Sequence, residues 1–178
     1  MTKYPFLAVI TLLIMVILTS GCVNNDTSNQ TKTYSGNGIS FTYNGTWEIA
    51  NTTSPNAVVA VGDPKTVDAQ KNPYTFVLIQ KPNATQNNDL QQTYNQNYAK
   101  LFNNSSNQRV SEANITINNN KALENVYLTN SSGMQLQMRA VWITQKGIIY
   151  VILCGTTPFN FEKEQKNFDL VINSFKAQ

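Results

Sequence analysis

Two cysteines, ten carboxylates and no histidine bound the chemistry open to this 178-residue chain. Histidine is the usual neutral-pH base and the usual ligand of catalytic zinc, copper and non-haem iron. Its absence excludes Ser-His-Asp, Cys-His and HExxH arrangements. Cys154 stands in "YVILCGTT", at the end of the most apolar segment and just before a predicted helix start. A helix N-terminus would lower a thiol pKa, but with no base nearby Cys154 reads as a buried, inert thiol. Asp63 and Asp68, in "VGDPKTVDAQKNPY", are the one pair of carboxylates in a Pro-containing loop. That loop lacks the dense Asp/Asn/Gly spacing of a calcium site and carries Lys65 and Lys71, so it reads as a solvated surface loop with no metal. Arg139, inside "MQLQMRAVW", is either an anion ligand or an outward-facing side chain that snorkels.

The second cysteine, Cys22, sits in a different context. Lys3, a thirteen-residue, almost wholly apolar run from Phe6 to Leu18 and the small residues "TSG" follow the plan of a secretory signal over residues 1–21. Thirteen residues fall short of the roughly 20 that cross a membrane as a helix. The segment "LTSGC" resembles a lipobox, which makes Cys22 the lipidated first residue of the mature chain and gives the protein a membrane partner. Thr19 stands where Leu is usual, which leaves ordinary signal cleavage or an uncleaved anchor as alternatives. Residues 22–33 have polar, aperiodic composition and read as a flexible tether. The location implied is the outer side of the cell membrane, outside the cytoplasm.

The acceptor pattern Asn-x-Ser/Thr occurs nine times, at Asn25, Asn29, Asn44, Asn51, Asn83, Asn103, Asn104, Asn114 and Asn130. From Asn44 onward these seven are candidate N-glycosylation sites, most of them in predicted turns, of use on an archaeal exterior and idle in most bacteria. Once Lys3 is removed with the signal, 12 basic residues face 10 acidic ones. So small an excess argues against nucleic acid as a partner.

The elements that position these residues fill residues 34–178, one domain by length. "GISFTYN", "GTWEIA", "AVVAVGD" and "YTFVLIQK" read as short strands, the last apolar on both faces and ended by Pro82. In "NDLQQTYNQNYAKLF" the residues Leu90, Tyr94, Tyr98, Leu101 and Phe102 fall on one face of a helix capped by Asn88 or Asp89. Four more strands, "RVSEANITI", "KALENVYLT", "MQLQMRAVWIT" and "IIYVILCG", are joined by "NNN", "NSSG" and "QKG" in an antiparallel meander. A second helix begins at Thr157 and Pro158 and buries Phe161, Phe168, Val171, Ile172 and Phe175. A sheet with two main amphipathic helices is an α+β fold.

This order of elements, with Gly38, Ile39, Phe41, Tyr43 and Trp47 at the start and Phe168, Ile172, Ser174 and Phe175 at the end, resembles the PsbP-like and DcrB-like families. The resemblance implies an α/β/α sandwich around an antiparallel sheet, often carried on prokaryotic lipoproteins. It also implies binding or assembly rather than catalysis, with no cofactor and with a protein or small-molecule partner. The expectation is a membrane-anchored, extracytoplasmic, non-catalytic binding or assembly module. The alternatives are a structural cell-envelope glycoprotein and, further off, a thiol or metal-dependent enzyme using Cys154 or the Asp63/Asp68 loop.

Overall fold

A computed structural model describes residues 30–83, 89–103, 106–131 and 133–178. The signal segment, Cys22, Asn25, Asn29 and Asn104 lie outside the described residues.

Type I′ turns are the local device that sets the register of the paired strands. The tips Asn37-Gly38, Asn118-Asn119 and Lys146-Gly147 all have positive φ, between 50° and 73°. Asn and Gly enter that region at low cost, and its twist matches that of flanking strands. The first turn joins β1 (Thr31–Gly36) to β2 (Ile39–Asn44), the second β6 (Gln108–Ile117) to β7 (Asn120–Ser131), and the third β8 (Met134–Gln145) to β9 (Ile148–Thr156). Short strands β3 (Glu48–Ala50), β4 (Ala57–Gly62) and β5 (Phe76–Gln80) come between, and α1 (Leu90–Phe102) crosses from β5 to β6. The chain closes with α2 (Phe161–Ser174) and β10 (Lys176–Ala177).

Seven strands form one antiparallel sheet in the order β3-β4-β5-β9-β8-β7-β6, and β1, β2 and β10 form a second. The β9 strand returns to the centre of the large sheet and pairs with β5 from Phe76↔Gly155 to Gln80↔Val151. Apolar residues on both of its faces are the cause, since a central strand is covered on each side. The period of 2 sends Tyr150, Ile152 and Cys154 to one side and Ile149, Val151 and Leu153 to the other. The first side meets α2 and the small sheet: Phe168, Val171, Ile172 and Phe175 pack with Ile39, Phe41, Trp47, Val77, Val141 and Ile152. The second side meets α1 through Tyr94 and Tyr98, with Leu90, Leu101 and Phe102 at the margin. The expected α+β architecture, an antiparallel sheet between layers that each carry one amphipathic helix, is therefore the one observed.

Two boundaries differ from expectation. Strand pairing begins at Thr31, within the segment expected as tether. Helix α2 starts at Phe161, not at Thr157 and Pro158, because those residues close a turn first: Asn160 N–H donates to Thr157 and Phe161 N–H to Pro158 before Glu164 N–H makes the first helical bond to Asn160. Helix α1 is capped by Asp89, whose carboxylate accepts from Gln92 N–H at 2.8 Å.

Candidate functional site

The residues marked by sequence for thiol or metal chemistry are each committed to structure. Cys154 is fully buried on the α2 side. Burial drives its thiol pKa far upward, opposed only in part by Arg139, so the thiol is neutral and shielded. Asp63 Oδ1 accepts from Lys65 N–H, and Asp68 Oδ1 accepts from Gln70 and Asn72 N–H. These are turn-forming bonds. Among the described residues no three His, Cys, Asp or Glu side chains converge as a metal site would require.

Arg139 neither faces solvent nor waits for an anion. Its Nε donates to Glu124 Oε2 at 2.7 Å, and its Nη1 donates to Asp169 Oδ1 at 2.7 Å and Gln165 Oε1 at 2.8 Å. Burial opposes the charge, but the two carboxylates outweigh it and hold the guanidinium pKa above its ordinary value. The arginine bolts α2 to the sheet.

Of the candidate acceptor asparagines, Asn51, Asn83, Asn103, Asn114 and Asn130 are exposed. Asn114 lies in the edge strand β6 rather than in a turn. Asn44 is engaged: its Oδ1 accepts from both the N–H and the hydroxyl of Thr46, and its Nδ2 donates to Asn167.

The feature that stands out lies on the other side of the sheet. A cleft of about 310 Å³ opens between α1, the turn before β4, the end of β5 and the sheet surface. Tyr98 and Leu101 of α1 form one wall; Asn125, Tyr127, Ala140, Trp142 and Val151 come from β7, β8 and β9. Among the described residues four buried polar atoms have no hydrogen-bond partner: Tyr98 Oη, Asn125 Nδ2, Asn125 Oδ1 and Trp142 Nε1. All three residues line this cleft. Asn125 is 1 % exposed, and an amide buried with neither end bonded costs about 1–3 kcal/mol relative to one that is satisfied. Tyr94 and Asn125 are near enough to Tyr98 to lower its phenol pKa as side-chain hydrogen-bonding neighbours, against the larger upward effect of burial, yet neither meets the distance and angle of a formed hydrogen bond. A cleft of about 460 Å³ beside Asp68 and Thr129 is larger, but none of the unpaired buried atoms lines it.

The cleft is uncharged. No Asp, Glu, Lys or Arg lines it among the described residues. Burial pushes the Tyr127 phenol up to about 12 and raises Tyr98 as well, so both stay protonated at neutral pH. Its aromatic surround is continuous: Tyr94 stacks on Tyr98 at 4.6 Å, Tyr94 meets Trp142 edge-on at 5.7 Å, and Phe102 meets Tyr127 at 5.9 Å. The Arg109 guanidinium lies over the Phe102 ring at 4.7 Å and over the Tyr98 ring at 5.5 Å. Neutral donors and acceptors among aromatic walls suit the holding and orienting of a ligand.

Asn125 was overlooked by sequence, although a signal exists. In "LENVY" it takes the inward phase of the strand between Leu123 and Tyr127, where an apolar residue is expected. Tyr98 and Trp142 lie in the core between α1 and the sheet, and nothing local in the sequence marks their polar atoms as unpaired.

A family model described as PsbP-like protein matches residues 18–177. No curated protein matches the chain. Among solved structures, the cyanobacterial PsbP (CyanoP) of Synechocystis sp. PCC 6803 is similar with TM-score 0.60 and 15 % identity, over 90 % of this chain and 99 % of that one. LpqN of Mycobacterium tuberculosis, described as involved in cell envelope biogenesis, is similar with TM-score 0.53 and 11 % identity, over 83 % and 90 %. A Bacteroides thetaiotaomicron protein is similar with TM-score 0.52 and 14 % identity, over 85 % of this chain and 49 % of that one. At such identities the likeness is one of fold.

Proposed function

The chain belongs to the PsbP-like family, and from that premise we propose that it is a non-enzymatic binding module, held on the outer side of the cell membrane by a lipid on Cys22. The ligand occupies the cleft beneath α1. The observation that carries this reading is the set of four unpaired polar atoms on Tyr98, Asn125 and Trp142, gathered around one uncharged opening. A fold that leaves such groups unsatisfied is under pressure to bury them with apolar residues instead, unless a ligand completes them. The absence of histidine and the depth of Cys154 support a role without catalysis. Among the described residues no helix is long and apolar enough to cross a membrane. The similarity of fold to an envelope-biogenesis protein supports the location.

The test is mass spectrometry of the full chain released from its own membranes. The reading predicts a mature chain beginning at lipid-bearing Cys22 that carries a non-covalent small-molecule adduct under native conditions, and release from the membrane by Cys22→Ala. A chain cut elsewhere and free of any adduct would overturn it.

A second reading, a structural envelope glycoprotein, draws on the exposure of Asn51, Asn83, Asn103, Asn114 and Asn130. Glycans found on these asparagines together with an empty cleft would favour it.

A further inference from the structure

Resting on the cleft as a binding site, the geometry points to its ligand class: we infer that the occupant is a small, uncharged, planar molecule with an amide edge, an N–H beside a C=O, as in carboxamides, lactams and nucleobases.

Asn125 gives the strongest constraint. Both ends of its carboxamide are unpaired, and they stand side by side as one donor and one acceptor. The complement is a group with acceptor and donor in the same plane, the two-bond pairing by which an asparagine reads a base edge. Trp142 Nε1 can only donate, so the ligand needs a further acceptor, whereas Tyr98 Oη can donate or accept. These atoms are covered although their residues line the cleft, so Asn125 and Tyr98 must rotate before the ligand can meet them.

Charge and shape narrow the class further. An ionised ligand would lose its hydration in a cleft where no described lining residue carries an opposite charge. Tyr98, Tyr127 and Trp142 offer aromatic faces and edges that suit a flat π-system. A volume of about 310 Å³ lies at the small end of ligand pockets. It fits one or two rings and excludes a folded peptide or a full lipid.

The two tryptophans allow a direct test with an internal control, because Trp142 lines the cleft while Trp47 is buried against Phe168 on the opposite side of the sheet. The full chain, labelled with 5-fluorotryptophan and held in lipid nanodiscs, is titrated with benzamide, benzoate, N,N-dimethylbenzamide and toluene, with signals assigned by Trp142→Phe. Benzamide should shift the Trp142 fluorine signal saturably and leave Trp47 still. Its dissociation constant should be at least tenfold below those of benzoate and N,N-dimethylbenzamide. Asn125→Leu should weaken benzamide at least tenfold and change toluene little. Equal affinity for benzoate or the dimethyl compound would overturn the amide-edge assignment and leave the cleft as a binding site. No response of Trp142 to any of the four would overturn both.

Discussion

The two faces of the seven-stranded sheet bury similar aromatic and aliphatic side chains but treat polar groups in opposite ways. On the α2 face no buried side-chain nitrogen or oxygen among the described residues lacks a partner: Arg139 reaches Glu124, Gln165 and Asp169, Asn44 reaches Thr46 and Asn167, and Ser174 Oγ accepts from Thr42 N–H at 2.8 Å. On the α1 face Tyr98, Asn125 and Trp142 are left with polar atoms unbonded. The same strands supply both faces, since Glu124 and Asn125 are neighbours in β7 and point opposite ways. The α2 face therefore reads as the structural half of the molecule. The α1 face keeps a cost that packing alone would remove, and that is the physical case for a site there.

Breaking the α2 face should have the largest effect. Arg139→Met strands Glu124, whose side chain is 18 % exposed, and also frees Asp169, which is 48 % exposed. Removing one partner of a buried pair costs about 3–5 kcal/mol, and the exposure of Asp169 puts the expected loss near the lower figure. Urea unfolding of the full chain measures it. A loss below about 1 kcal/mol, the range of a surface pair, would remove the distinction between the faces.

Alkaline pH sharpens the comparison from the α1 side. Tyr127 has a folded-state pKa of about 12 against an ordinary 10.0. A raised pKa on a phenol favours the neutral form in the folded state, so its contribution is complete below pH 10 and is lost as pH rises through about 12. Two pKa units correspond to about 3 kcal/mol. Stability measured at pH 9 and pH 12 should fall by less in Tyr127→Phe than in the parent, and an equal fall would contradict the burial of that phenol.

A smaller effect comes from the cap of α1. Asp89→Ala removes the bond to Gln92 N–H and should lower stability by about 1 kcal/mol. Amide exchange should quicken in the first turn of α1 and stay unchanged in α2. Equal acceleration in both helices would mean that the two layers open as one unit.

Much of this contrast was legible before the structure. Asn and Gly at the hairpin tips, the Tyr94 and Tyr98 stripe, the two-sided apolarity of β5 and the strong apolarity of β9 are local signals, and local signals survive folding. The start of α2 was misread because Thr157 and Pro158 suit a helix N-terminus and a turn equally well. The partners of Arg139 lie 15 to 30 residues away, so its role depends on strand register and helix docking that no window of sequence contains. The cleft was invisible for the same reason, as its walls come from five elements brought together when β9 returns beside β5. Asn125 alone left a trace, a polar residue in an apolar phase, legible once β7 is known to be covered on both faces.

The sharpest measurement is the unfolding free energy of Asn125→Leu, with Asn44→Leu as its counterpart on the α2 side. A near-isosteric apolar residue at 125 removes an amide buried without partners, so stability should rise by about 1 kcal/mol. At 44 the same change breaks bonds to Thr46 and Asn167, so stability should fall by about 1 kcal/mol. Opposite signs are what the account predicts; a loss at 125 as large as that at 44 would contradict it.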